Sequence, residues 1–158
     1  MRPANTMEIG VISDTHGLLR EEAVAQLCDS DLILHAGDIG SPAVLAELGR
    51  IARVVAVRGN NDRDGWALCL PVREIVELCG ISICMLHDVN DLDGSFARCP
   101  HDVVIAGHSH RPLVERRDGV LLLNPGSAGP RRFRLPVTVA RLRIRRGAVQ
   151  VRVIELDV

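Results

Sequence analysis

The chain has no tyrosine and no lysine, and its aromatic side chains stop at Trp66, Phe96 and Phe133. With so few rings, the core must be built from Val, Leu, Ile and Ala. The aromatic platforms on which single-stranded nucleic acids stack are excluded. All 19 basic side chains are Arg, which reads first as genome composition, although Arg is also the better bidentate partner for phosphate. The five cysteines (Cys28, Cys69, Cys79, Cys84, Cys99) are odd in number and show no CxxC spacing. That argues against a disulfide framework and a zinc knuckle alike, and a reducing cytoplasm is the expected location. Met1 to Thr6 contains an Arg and a Pro with no apolar stretch after it, and no apolar run is long enough to cross a bilayer. A soluble protein without a membrane partner is expected.

What is present is 158 residues with 47% apolar content, enough for one domain spanning 1–158 with a good core and too little for two ordinary ones. The net charge of −1 hides an asymmetry. Residues 1–110 carry 8 Arg against 16 acidic groups, whereas residues 111–158 carry 11 Arg against 4. Carboxylates gathered at one site need cations to relieve their repulsion, which accounts for part of the acidic excess. In the basic part, Arg141 and Arg143 alternate with Leu142 and Ile144, the pattern of a half-buried strand with a solvated face. Steering of an anionic substrate is the alternative reading.

Met7 to Ser13 reads as a buried strand, Glu21 to Cys28 as a short helix, and Asp31 to His35 as a second strand. Ser41-Pro42 supplies an N-cap and an N1 proline for a helix closing near Gly49. Val54 to Val57 is a third strand, followed by a loop-like stretch from Asp62 to Pro71. The rhythm then changes. Glu74 to Leu78 and Ile81 to Leu86 are separated only by Cys79-Gly80, a hairpin spacing. Asn90 to Asp102 is polar with room for one helical turn, Val103 to Ala106 and Val120 to Leu123 are further strands, and Val137 to Ile144 with Ala148 to Ile154 makes a closing hairpin. Crossovers followed by hairpins predict an α/β domain with mixed sheets.

Chemistry-bearing residues collect where the apolar runs end. Asp14-Thr15-His16, Gly37-Asp38, Gly59-Asn60-Asn61-Asp62, His87 and Gly107-His108-Ser109-His110 follow one another in that order. Loops at the ends of different strands let distant residues converge on one point. Asp, Asn and His are oxygen and nitrogen donors suited to manganese, iron, zinc or nickel. The set therefore predicts a two-metal phosphoesterase site.

In these motifs, from about Met7 to the C-terminus, the chain resembles the calcineurin-like metallophosphoesterase superfamily, in particular the small single-domain phosphodiesterases of the YfcE type. The resemblance implies two mixed sheets packed as a sandwich flanked by helices, a four-layer αββα arrangement. It also implies two divalent ions per chain, manganese first, with nickel, zinc, iron or magnesium as alternatives. Asp14, His16 and His110 would hold one ion, Asn60, His87 and His108 the other, and Asp38 would bridge them. A water or hydroxide between two such cations becomes a nucleophile at neutral pH. Asp62 would position a ligand or loop beside the reacting centre, and Asn61 would face the substrate. Arg131 and Arg132 are candidates for a substrate phosphate, with a surface role as the plainer alternative. Gly37, Gly59 and Gly107 would let the backbone turn sharply, and His35, inside a strand, reads as a packed histidine. Asn124-Pro125-Gly126-Ser127 resembles a late turn of the family near the site.

Two departures stand out. Some members of the superfamily carry a histidine acid at the position of Asn61, so that acid is missing here. Many carry Gly after the lone His ligand, where this chain has Asp88, a carboxylate able to repel an anion, hold a water or cap the loop. The expected function is hydrolysis of small phosphodiesters. A phosphomonoesterase or nucleotide pyrophosphatase is the second reading, and a non-catalytic scaffold of the retromer-subunit kind is the third. The complete ligand set argues against the scaffold. A stable nucleic-acid partner is not expected, since there is no room for an appended DNA-binding domain, and homo-oligomerisation stays open.

Overall fold

The computed structural model describes residues 5–158. Its strands form two five-stranded sheets. The first has the order β10-β9-β1-β2-β3, built from β1 (Thr6–Ile12), β2 (Leu32–His35), β3 (Arg53–Ala56), β9 (Thr138–Arg145) and β10 (Ala148–Glu155). The second has the order β4-β5-β6-β8-β7, from β4 (Arg73–Leu78), β5 (Ile81–Leu86), β6 (Val103–Ile105), β7 (Leu113–Arg117) and β8 (Val120–Asn124). Both sheets are mixed. β1, β2 and β3 are parallel, as are β5, β6 and β8, while hairpin partners flank each trio.

The main core lies between the sheets and follows the two-residue period of the strands. Ile9 and Val11, Leu32 and Leu34, and Ala140, Leu142 and Ile144 face Ile81, Ile83 and Met85, Val103 and Ile105, and Leu121 and Leu123. The alternate residues of the first sheet, among them Ile12, Ile33 and Val139, pack under α1 (Glu21–Leu27) and α2 (Pro42–Gly49). Each helix buries a pair at i, i+4: Ala23 and Leu27, then Val44 and Leu48. Ser41 caps α2 as its sequence predicts, its Oγ accepting from the Ala43 N–H at 3.2 Å. Truncating Met85 or Leu123, both fully buried, to Ala would cost about 2–5 kcal/mol.

The fourth layer is thinner than a helical one. The outer face of the second sheet, Cys84, Leu86, Val104, Ala106, Val120 and Leu122, is covered by Val89, Leu92, Phe96 and Cys99, which lie on or beside the 3₁₀ turns Val89–Asp91 and Phe96–Arg98. The stretch expected to hold one helical turn thus holds two, and a third turn, Ala67–Cys69, sits in the segment read as a loop. Arg141 and Arg143 close on Glu8 on the outer face of the first sheet, and Arg141 also reaches Asp29. This part of the basic excess serves ion pairs on a strand face.

This topology fixes where function can lie. All six parallel strands empty at their carboxyl ends into loops, and those loops carry every motif read from the sequence. A crevice outside the carboxyl ends of parallel strands is the usual place for a ligand in such sheets.

Candidate metal centre

Asp14 sits just past β1 with its carboxylate completely buried. Oδ2 accepts from the Ser13 hydroxyl at 2.7 Å and from the His108 backbone N–H at 3.1 Å. Oδ1 instead faces three imidazoles, with His110 Nε2 at 3.3 Å and His16 and His87 Nε2 at 3.9 Å. Asp38, past β2, has the complementary position. Its Oδ2 is 3.3 Å from His87 Nε2 and 3.8 Å from His16 Nε2, while Asn61 donates its backbone N–H to Oδ1 and its side-chain amide to Oδ2, both at 2.9 Å.

Two groups of donors converge closely enough to share a cation, Asp14 with His16 and His110, and Asp14 with Asp38 and His87. The resemblance gives the bridging place to Asp38 alone; the structure sets both carboxylates between the histidines. Asn60 and His108 form an outer pair, Oδ1 to Nδ1 at 3.1 Å, with the His108 ring edge-on to that of His87 at 5.2 Å.

Electrostatics keep both carboxylates charged. Burial works to raise the Asp14 carboxyl, but His110, Ser13 and His87 outweigh it and hold it below its ordinary range. The same contest at Asp38, with His87 and Asn61 on the winning side, leaves its pKa far below normal. For His87, burial pulls the pKa down while Asp38, Asp14 and the Ala36 carbonyl raise it, and the net shift is upward. His16 ends below its ordinary value, because burial, Arg132 and His110 prevail over Asp38 and Asp14.

Tautomers follow from the hydrogen bonds. His87 Nδ1–H donates to the Ala36 carbonyl at 2.8 Å, which leaves Nε2 as a bare donor atom. His35 is fully buried, as a packed histidine should be. Its Nδ1 accepts from the Gly37 N–H at 3.1 Å. Because the Thr15 hydroxyl donates to the Ile39 carbonyl at 2.8 Å, His35 Nε2–H must be the donor to Thr15 Oγ1 at 3.0 Å. His35 is thus a neutral strut between two donor-bearing loops, its pKa pushed down by burial to about 4.

The backbone carries unusual conformations here. Asp14, His16, Asp38, His108 and His110 all have φ between 46° and 69°, a region that side-chain-bearing residues avoid and that recurs at functional sites. Gly37, at φ 99°, turns the chain as expected, whereas the other two glycines have a different task. Gly59 and Gly107 are absent from the positive-φ positions; instead, a Cβ would meet Asp38 Oδ1 at 2.1 Å on Gly59 and Asp14 Oδ2 at 2.5 Å on Gly107. They let the chain press against the two carboxylates.

The remaining candidates divide. Asp62 is buried and braces loops: Oδ2 accepts from the Ile39 and Gly59 amides at 3.1 and 2.9 Å, and Oδ1 from Gly40 at 3.0 Å. Asn61 orients Asp38. Arg132 places its charge near enough to bear on His16. Arg131 donates to the Val158 carbonyl at 3.0 Å and to that of Leu135 at 3.4 Å. The late turn ties loops together, since Asn124 Nδ2 donates to the Gly107 carbonyl at 2.9 Å and Ser127 Oγ to that of Asp14 at 3.0 Å. Ser13 and Thr15 escaped the sequence reading as supports, hinted at only by their position beside Asp14, whereas the resemblance places the late turn near the site.

These donors fit metal ions. Asp14 Oδ1, His87 Nε2 and His110 Nδ1 are buried polar atoms with no hydrogen-bond partner. For two of them, Asp14 Oδ1 and His87 Nε2, a cation is the natural one.

Comparison with known proteins agrees. The calcineurin-like phosphoesterase superfamily domain matches residues 7–147. A probable metallophosphoesterase from Methanocaldococcus jannaschii is 39% identical over 135 residues, covering 77% of this chain and 68% of its own. A phosphodiesterase from the same organism is 31% identical over 138 residues, 76% of this chain and 83% of its own. Among solved structures, an archaeal phosphodiesterase superposes with TM-score 0.79 at 26% identity, over 94% of this chain and 100% of its own. Vps29 from Entamoeba histolytica superposes with TM-score 0.75 at 20% identity, over 96% of this chain and 100% of its own, a likeness of fold alone. The chain belongs to the calcineurin-like phosphoesterase superfamily. It is a metal-dependent hydrolase of phosphoric esters.

Proposed function

We propose that this phosphoesterase uses two divalent ions, manganese first among the candidates, to hydrolyse small phosphodiesters. The carrying observation is the pair of ionised carboxylates, Asp14 and Asp38, each presenting one oxygen to at least two histidine Nε2 atoms. Asp14, His16 and His110 would hold one ion, Asn60, His87 and His108 the other, with Asp38 and Asp14 between them. Bound there, such ions stabilise charge on the phosphoryl oxygens and lower the pKa of water to supply a nucleophile at neutral pH.

The chain's own residues do the rest. Asn61 and His87 keep Asp38 ionised and oriented, and Ser13 with the His108 N–H does the same for Asp14. Arg132 adds positive charge on the His16 side, where an anionic substrate would be drawn. Asn61 offers no proton to a departing alkoxide, so leaving groups that carry negative charge well are favoured. The preference for diesters draws on the two relatives named as phosphodiesterases. Five free cysteines accord with a reducing cytoplasm as the place of action.

Comparison of kcat/KM for an aryl phosphodiester and the matching monoester, with Mn²⁺ after chelator treatment, tests the reading. Faster diester hydrolysis is expected; a clear monoester preference moves the assignment to a phosphomonoesterase. No hydrolysis of esters or nucleotides with any of Mn²⁺, Ni²⁺, Zn²⁺ or Mg²⁺ returns it to the scaffold reading.

A further inference from the structure

His108 is the donor with the least support, its side chain 46% exposed. Two groups address its ring from opposite edges. Asn60 Oδ1 stands 3.1 Å from Nδ1, and Asp88 Oδ2 stands 3.7 Å from Nε2. The other Asp88 oxygen is committed elsewhere: Oδ1 accepts from the backbone N–H and side-chain amide of Asn90, at 3.0 and 3.1 Å. That bond makes Asp88 the N-cap of the Val89–Asp91 turn and anchors its carboxylate. The oxygen turned toward His108 is the one the loop does not use.

An imidazole that gives one nitrogen to a metal carries its proton on the other, and an acceptor there fixes tautomer and ring orientation. His87 shows the arrangement in this same site, with Nδ1–H on the Ala36 carbonyl and Nε2 turned to Asp38. At His108 the sense is reversed. In the metal-free chain Nδ1–H donates to the Asn60 oxygen, an atom that a cation would take together with Nδ1 once the ring proton sits on Nε2, the nitrogen that faces a carboxylate. We propose that Asp88 is the positioning residue of His108, holding Nε2–H so that Nδ1 joins Asn60 Oδ1 as a ligand of the outer ion. At 3.7 Å the pair stands just beyond hydrogen-bond length, and the proposal requires it to close on loading. The inference rests on the two-ion reading above.

Capping and positioning can be separated. Asp88→Ser keeps an oxygen able to cap Asn90 but cannot reach His108, whereas Asp88→Ala removes both. Calorimetric titration of Mn²⁺ into chelator-treated full-length protein is the measurement. The weaker binding event should lose about 10–100-fold in affinity in both variants, with the stronger one unchanged. The metal-free melting temperature of Asp88→Ser should match the wild type, and the affinity loss should persist in 1 M salt, where exposed charges are screened beyond about 3 Å. Wild-type binding by Asp88→Ser would reduce Asp88 to a cap and overturn the proposal. So would a loss that vanishes in high salt, the mark of diffuse charge. If the wild type takes up a single ion, the two-ion reading fails, and the same comparison on that one event still decides the role of Asp88.

Discussion

The inner donors, Asp14, His16, Asp38, His87 and His110, and the outer pair, Asn60 and His108, are held in different ways. Asp14, Asp38, His87 and His110 are buried, and Ser13, Asn61 and the Ala36 carbonyl fix three of them directly. Asn60 and His108 are exposed, and their side chains are braced by one another and by Asp88 at longer range. A prebuilt inner set needs little reorganisation to take a cation, while an outer pair must be ordered as it binds. The comparison predicts one tightly held ion and one that exchanges readily.

The largest effect should come from Asp38, which the two-ion reading sets between the ions. Asp38→Asn removes charge beside both ions, and activity should fall by more than the roughly 100-fold that loss of a supporting partner can cost. A steady-state assay with saturating Mn²⁺, paired with metal analysis, checks it; loss of the outer ion alone would take Asp38 out of the shared position.

Next is the scaffold beneath the inner set. Asp62→Ala leaves three loop amides without an acceptor, and urea unfolding should show about 3–5 kcal/mol of lost stability. A change below about 1 kcal/mol would mean that the loops hold themselves.

The His35 strut gives a pH signature. Its folded pKa of about 4 lies below the ordinary 6.5, so between those values the unfolded chain binds more protons. The stability it confers is complete above pH 6.5 and is lost as pH falls to about 4, by about 3 kcal/mol in all. Unfolding of the chelator-treated protein across this range should show that slope, reduced in His35→Gln. Equal slopes would assign the acid sensitivity to other groups.

The smallest effect concerns the outer rim. Asn61→His would supply a potential proton donor while removing the amide bond to Asp38, and alkyl diesters should gain about tenfold relative to nitrophenyl diesters, a fraction of what general acid catalysis can give. A shallow dependence on leaving-group pKa in the wild type, with chemistry rate-limiting, would show that another group already supplies the proton.

The same division explains what the sequence disclosed. Strands such as β5 and β6 are continuous apolar runs, and a donor at the exit of such a run is visible without any contact map. β7 was missed because Leu113–Arg117 is an exposed, charged edge strand whose pairing partner on β8 supplies the apolar content. The supports were hidden for a related reason. Ser127 reaches Asp14 across 113 positions and the His108 amide reaches it across 94, and such contacts have no local pattern. The approach of Asp14 Oδ1 to three imidazoles was likewise invisible, because it depends on which carboxylate oxygen each histidine meets.

Metal analysis of the wild type and of His108→Ala at saturating Mn²⁺ tests the central claim most directly. Two ions per chain in the wild type and one in the variant, counted by equilibrium dialysis against Mn²⁺ so that the exchanging ion is kept, is the predicted result. Fewer than two in the wild type, or two in His108→Ala, would contradict it.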